Sequence, residues 1–342
     1  MSTLLDPAIL FFVFGMLAGG VKSNLEIPPP ISRFLSLYLL MSLGLKGGFA
    51  LSASGLTREV ATSLACAVAL AVIIPMTGWL ILRRWLSAFD ALAVAATYGS
   101  VSAVTFITAV QVLEGRGIEA GGHMAAAMAL MESPAIILAV LMANVLRTRG
   151  ATILSGGHSA GGGTLVMSEY TPNVSGRAAL PLGKVLHESF TDGAQLLLLG
   201  AMAVGIVSGE AGQAAMKPFT GDLFKGLLAF FLLDMGLTTA RHFSALKGLP
   251  AALAVWGLAA PMAHAGLAML MARALDLSVG DGALLMVLAA SASYIAVPAV
   301  LRQALPEAKP ALYFGLSLGV TFPFNILLGI PLYLQAAQWA LG

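Results

Sequence analysis

Two apolar stretches of this chain carry clusters of small and hydroxyl-bearing residues. The first cluster contains Ser100, Ser102 and Thr105, and the second contains Ser291 and Ser293. Hydroxyl and main-chain carbonyl oxygens are the ligands that hard cations prefer. Where such a cluster interrupts a helix, the N–H groups that open the next helix attract an anion. The two clusters therefore predict one site for a small anion and a cation.

The predicted substrate-binding residues lie beside the expected interruptions. In the first stretch they are Gly99, Ser100, Ser102, Ala103 and Thr105. In the second stretch they are Ser291, Ala292, Ser293 and Tyr294. Close packing between membrane helices is the alternative role for such small residues.

Acidic residues inside apolar stretches are the second chemical signal, because a charge at membrane depth costs about 2.5–3.5 kcal/mol or more. Glu132 stands beside a proline, and Asn325 has a similar position in the last stretch. The predicted Na⁺ ligands are Ser102, Thr105, Glu132, Ser293 and Asn325. The alternative is a structural Glu132 bonded to a neighbouring helix. Asp234 is either a second acid of a transport path or an interfacial residue.

The composition indicates a membrane protein that crosses the bilayer several times. Of 342 residues, 58% are hydrophobic and 10% are charged, against about 25% charged in soluble domains. The net charge of +2 gives no reason to expect nucleic acid. No paired catalytic acids, Ser/His dyad or metal cluster is evident at membrane depth, so we expect a non-enzyme with no cofactor other than a coupling ion.

About ten stretches approach the roughly 20 apolar residues that a membrane-spanning helix needs. We place them at 8–22, 30–50, 61–83, 90–112, 122–146, 186–208, 220–240, 250–272, 281–303 and 310–338. They divide five and five around a Gly/Ser-rich loop. The expected units are a first repeat (1–146), a cytoplasmic linker (147–185) and a second repeat (186–342).

A faint duplication supports this division. The Leu-Gly-Leu sequence at 43–45 returns as Met-Gly-Leu at 235–237, an offset of 192, and the serine pairs of the two clusters are 191 residues apart. Five crossings leave the second copy inverted in the membrane, an arrangement typical of secondary transporters. We therefore expect an all-α protein of two inverted five-helix repeats in which the interrupted fourth and ninth helices cross.

The orientation follows from the basic residues. Most Lys and Arg residues lie in the odd-numbered loops, and such residues favour the cytoplasmic side. We expect a multi-pass protein of the bacterial inner membrane, in contact with lipid, with both termini on the periplasmic side.

Short motifs in a characteristic order extend over nearly the whole chain outside the central loop. They occupy 25–28, 43–48, 98–106, 132–144, 187–190, 260–264 and 291–302. In these motifs the chain resembles the sodium-dependent bicarbonate transporter family of the cyanobacterial type. The resemblance implies a homotrimer in which a core domain moves against a gate domain, and regulation by a small PII-like protein. It also implies that bicarbonate and Na⁺ bind where the fourth and ninth segments cross, at Gly99, Ser102, Thr105, Ser291 and Ser293, with Glu132 at a family Asp position.

The chain also departs from that family pattern in its ninth segment. Ala292 interrupts the serine run, Tyr294 occupies the position of an Asp, and residues 297–299 replace a Gly-Pro-Pro sequence. Lost hydroxyls and a lost carboxylate mean fewer ligands for Na⁺ or a polar anion. Asp234, where we expect an apolar residue in the family, is a candidate to offset the missing charge.

The predicted function is a sodium-coupled symporter that imports bicarbonate or a similar small anion by alternating access. The alternative is a cation/proton antiporter or an organic-anion carrier on the same architecture, with Glu132 and Asp234 as the acids.

Overall fold

The computed structural model describes residues 5–55, 57–156, 193–242 and 250–342. These residues form helices and contain no strand, as the all-α class predicts. The helices are α1 (Pro7–Gly20), α2 (Pro29–Ser54), α3 (Arg58–Leu82), α4 (Ala88–Gly99), α5 (Ala103–Gly115), α6 (His123–Gly156), α7 (Gly193–Lys217), α8 (Leu223–His242), α9 (Ala251–Ala274), α10 (Val279–Ala290), α11 (Ala296–Ala304) and α12 (Pro310–Leu341).

Multiple apolar helices confirm a multi-pass membrane protein. In the described ranges, seven helical stretches are long and apolar enough to cross a membrane, and α1 and α10 are shorter apolar helices. One of the seven is the 50-residue stretch that contains α7 and α8, which exceeds twice the roughly 20 residues of one crossing. The number of ten spans stays a prediction.

The linker predicted to begin at residue 147 is helical at its start. Helix α6 continues to Gly156, because extending an existing helix is far easier than starting one and this stretch contains no proline. Residues 157–192, which hold the remainder of the predicted linker and the predicted beginning of the sixth stretch, lie outside the described residues.

The two interrupted segments, α4–α5 and α10–α11, begin with the same capping arrangement. The Ser87 hydroxyl accepts a hydrogen bond from the Asp90 N–H at 3.1 Å, and the Ser278 hydroxyl accepts one from the Asp281 N–H at 3.2 Å. A serine cap satisfies an N–H group that the first helical turn leaves unpaired. The two caps are 191 residues apart, the offset of the serine pairs.

The acidic residues of these caps also hold the loops that lead into α12 and α6. Asp90 accepts a hydrogen bond from the Lys309 N–H at 2.7 Å. Asp281 accepts one from the Gly121 N–H at 2.6 Å. Each interrupted segment is therefore tied at its start to the beginning of a long helix.

Two helix pairs approach so closely that their backbones touch, α1 with α8 and α2 with α7. A Cβ atom added at Gly236 would collide with the Phe12 carbonyl oxygen of α1, and one added at Gly44 would collide with the Leu198 carbonyl oxygen of α7. Small residues permit this approach between membrane helices. We call α1, α2, α7 and α8 the paired-helix frame, and α3–α6 with α9–α12 the broken-helix bundle.

The bundle has two matching halves. Helix α3 packs against α4 and α6, and α9 packs against α10 and α12. In the frame, α1 packs on α8 while α2 packs on α7. Each of these contacts made by a helix of the first half therefore has a counterpart made by the corresponding helix of the second half.

The close approach of α1 and α8 gives a stability prediction. Gly236→Ala should destabilise the protein by about 1–3 kcal/mol, because the added methyl overpacks a backbone contact. The measurement is the thermal unfolding midpoint of the detergent-purified protein. Gly226→Ala on the same helix is the matched control, since a Cβ there meets no atom within 4 Å. Equal midpoints for the two variants would contradict the packing described.

Candidate functional site

Both predicted interruptions are present. Helix α4 ends at Gly99 and α5 begins at Ala103; α10 ends at Ala290 and α11 begins at Ala296. The first residue of each interruption has an extended backbone, with φ −103° and ψ 180° at Ser100 and φ −80° and ψ 164° at Ser291. The hydroxyl-rich residues thus break the helices at the places where the sequence predicts a break.

The two interruptions satisfy one another's polar groups. The Ser102 N–H donates to the Ser291 hydroxyl oxygen at 3.0 Å, and the Ser293 N–H donates to the Thr97 carbonyl oxygen at 2.9 Å. The Ser291 hydroxyl in turn donates to the Leu288 carbonyl at 2.8 Å. Such bonds are required because an unpaired main-chain group buried in a membrane costs several kcal/mol.

Serine hydroxyls also open both second half-helices. The Ser102 hydroxyl accepts hydrogen bonds from the Thr105 N–H at 3.2 Å and the Thr105 hydroxyl at 3.0 Å. The Ser293 hydroxyl accepts one from the Val297 N–H at 3.2 Å. The first turns of α5 and α11 are therefore fixed in position beside the interruptions.

A cavity of about 200 Å³ lies where the two half-helices begin. At roughly 30 Å³ per water, it has room for a small ion and several waters. Its lining includes residues 101–104, Glu132, Ser133, Gln195 and residues 293–296. The N-terminal ends of α5 and α11 therefore face one cavity together with a carboxylate.

Polar side chains from α6 and α7 complete the cavity wall. Gln195 is buried, and its amide donates to the Ala129 carbonyl at 2.7 Å and to the Ser133 hydroxyl at 3.3 Å. Glu132 is half-buried and lines the cavity beside them. Amide, hydroxyl and carboxylate groups therefore line the same cavity as the two interruptions.

This cavity lies towards the odd-numbered loops, since its lining includes Ser36 near the start of α2 and Gln195 near the start of α7. A second cavity of about 630 Å³ is lined by the ends that adjoin the even-numbered loops. There Lys46 of the frame bonds both carboxylate oxygens of Glu114 of the bundle, at 2.8 and 3.2 Å. The two cavities therefore open towards opposite ends of the helices.

The predicted substrate and sodium residues divide into two groups. Those that line the first cavity are Ser102, Ala103, Glu132, Ser293 and Tyr294. Those outside the lining are Gly99, Ser100, Thr105, Ser291, Ala292 and Asn325. In the second group, Gly99 lies against the Pro75 ring, and the buried Ser100 hydroxyl has no hydrogen-bond partner among the described residues.

Asn325, a predicted sodium ligand, lies outside the cavity lining. Its amide nitrogen donates to the Ala290 carbonyl at 2.8 Å, and its amide oxygen accepts from the Tyr333 hydroxyl at 3.0 Å. The amide nitrogen therefore holds the end of α10 against α12, and the amide oxygen is engaged within α12.

The sequence reasoning missed Gln195 as a cavity residue. A signal was available, since Gln195 is an isolated amide in the strongly apolar beginning of α7. Polar side chains in such a segment usually face the protein interior rather than lipid.

The bonds between the interruptions give a second prediction. Ser291→Ala should lower the thermal unfolding midpoint, because the buried Ser102 N–H loses its acceptor at a cost of about 1–3 kcal/mol. Ser317→Ala is the matched control: its buried hydroxyl donates only to the Phe314 carbonyl one turn earlier, so its loss leaves no N–H unpaired. A Ser291→Ala midpoint no lower than that of the control would contradict this assignment.

Comparison with known proteins finds no curated protein that matches this chain. The family model of the Na⁺-dependent bicarbonate transporter superfamily, in contrast, matches residues 7–338. The match includes both interruptions, the cavity and the helices that enclose them. The chain therefore belongs to the Na⁺-dependent bicarbonate transporter superfamily.

Proposed function

We propose that this protein is a sodium-coupled symporter that imports bicarbonate or a similar small anion. One observation carries the proposal: the N-terminal ends of two half-helices, α5 and α11, face a single cavity that also contains Glu132. Family membership supports the same function.

Main-chain groups supply the anion site. The first N–H groups of a helix have no partner within it, and the helix dipole adds partial positive charge at that end. Ala103 and Val104 open α5, Ala296 opens α11, and all three line the cavity. A planar oxyanion such as bicarbonate can accept hydrogen bonds from both half-helices at once.

A sodium ion is the natural partner of that anion. Glu132 supplies a carboxylate, and Ser102 and Ser293 supply hydroxyl oxygens in the lining of the same cavity. The bound cation offsets the Glu132 charge and attracts the anion, and by linkage the anion then favours the cation equally. This reciprocity lets an inward sodium gradient drive anion uptake.

The matching halves of the fold support alternating access. Two inverted repeats are expected to make equivalent helix contacts in both halves of the chain, and the contacts of the frame and of the bundle follow this pattern. Cavities towards opposite ends supply the two access routes. A homotrimer in the bacterial inner membrane and a PII-like regulator are further predictions that come from the family resemblance.

Transport by the purified protein tests the proposal directly. Proteoliposomes should accumulate labelled bicarbonate when an inward Na⁺ gradient is imposed, and an equal K⁺ gradient should give only the uptake of protein-free liposomes. Uptake that is indifferent to Na⁺ would overturn the coupling. Proton release on addition of Na⁺, without anion uptake, would instead favour the antiporter alternative.

The role of the cavity carboxylate has its own test. Glu132→Gln should raise the Na⁺ concentration needed for half-maximal uptake at least tenfold, because a neutral amide binds a cation much more weakly than a carboxylate does. Glu307→Gln removes an acid of the same type whose carboxylate pairs with Arg147 at 2.8 Å outside the cavity, and it should leave the sodium dependence unchanged. Equal sodium dependence in both variants would exclude Glu132 as a ligand.

A further inference from the structure

Asp234 is a charged residue that the proposed site does not use. It lies in α8 of the frame, between Leu233 and Met235, and is 8% exposed. Eight residues of α8 follow it, which places it about 12 Å from that end of the helix. Ionisable residues at such depth are costly and mark ion pathways more often than structural positions.

The neighbours of Asp234 place it near the mouth of the first cavity. The Ser32 hydroxyl of α2 donates a hydrogen bond to one Asp234 carboxylate oxygen. Ser36, one helical turn further along the same face of α2, lines the cavity. A carboxylate offers about four acceptor positions, so one hydroxyl donor leaves most of its capacity for a cation.

Arg241 is the basic residue that acts on Asp234 electrostatically. It lies seven residues further along α8, and its guanidinium donates to the Leu25 carbonyl oxygen at 2.9 Å. Among the ion pairs of the described residues there is none between Asp234 and Arg241, so the guanidinium acts on the Asp234 carboxylate only from a distance.

A second hydroxyl reaches this region from the bundle. Tyr294, in the interruption between α10 and α11, donates to the sulfur of Met235 at 3.7 Å and interacts with the charge of Asp234. The same hydroxyl interacts with the Ser102 side chain. Tyr294 thus lines the first cavity and also contacts Met235, the residue next to Asp234.

The two halves of the chain differ at this position. The offset of 192 between the repeated glycines Gly44 and Gly236 pairs Asp234 with Ser42, which is fully buried and neutral. At this pair of positions, the carboxylate is present in α8 and a hydroxyl replaces it in α2. A residue needed merely for packing would have no reason to be charged in one half alone.

We propose that Asp234, with the hydroxyls of Ser32 and Tyr294, forms a second Na⁺ site at the mouth of the first cavity. The proposal rests on the proposed function, because the site adds a second coupling ion to the same transport path. The second Na⁺ would lie between the frame and the bundle, whereas the ligands proposed for the first Na⁺, which include Glu132, all belong to the bundle.

Equilibrium binding of radioactive ²²Na⁺ to the detergent-purified full chain tests the site without transport. At Na⁺ concentrations that just saturate the original protein, Asp234→Asn should bind half as much Na⁺, and Glu132→Gln combined with Asp234→Asn should bind almost none. Ser32→Ala should weaken the Na⁺ affinity of the Asp234 site several-fold and leave the total number of Na⁺ sites at two. Asp222→Asn is the matched control, since it removes an exposed carboxylate just before α8 and should change neither value.

The outcomes separate this proposal from the proposed function. Sodium binding by Asp234→Asn that equals the original protein in amount and affinity overturns the second site, even if uptake depends on Na⁺. Halved binding in Asp234→Asn supports the second site, even if uptake proves indifferent to Na⁺. If Asp234→Asn fails to fold, Ser32→Ala decides: an unchanged Na⁺ affinity overturns the site. If Asp234 binds a proton instead of Na⁺, Asp234→Asn and the original protein will bind equal amounts of Na⁺, while the pH dependence of uptake will differ between them. That outcome also overturns the second Na⁺ site.

Discussion

Main-chain N–H and C=O groups must find partners inside a membrane, and this requirement governs how two helices here can be interrupted. Each interruption supplies what the other lacks: the Ser102 N–H bonds the Ser291 hydroxyl, and the Ser293 N–H bonds the Thr97 carbonyl. Neither interruption would be tolerable alone in lipid. The cavity, the facing half-helix ends and the proposed ion sites all depend on this mutual pairing.

The places where the helices break could be predicted from the sequence, because serine, glycine and proline act on the backbone locally. The direction in which each side chain faces could not, since it depends on how a helix is rotated by packing over its whole length. Asn325 shows the difference: its residue type suits a cation, yet its amide is used by Ala290 and Tyr333. Gln195 shows the converse, because only the packing of α7 on α6 brings it to the cavity.

The spacing of glycine and serine residues predicts the duplication, and a capping pattern that the prediction did not use repeats in the same way. Ser87 and Asp90 form a capping pattern, as do Ser278 and Asp281, with the same spacing in both halves. Serine followed three positions later by an acid is a recognised signal for a helix start. What the sequence could not reveal is that each acid also bonds a distant loop, because that contact exists only after the halves have assembled.

The backbone contacts of the frame have a mechanical consequence. Where Gly236 meets α1 and Gly44 meets α7, the two main chains are in direct contact. No flexible side chain lies between them that could adjust its conformation when the helices shift. Sliding or turning one helix of a pair would drive carbonyl oxygens into its neighbour. Since α2 also contacts α8, the four helices are joined side by side, and we expect the alternating-access movement of the proposed function to take place between the frame and the bundle rather than within the frame.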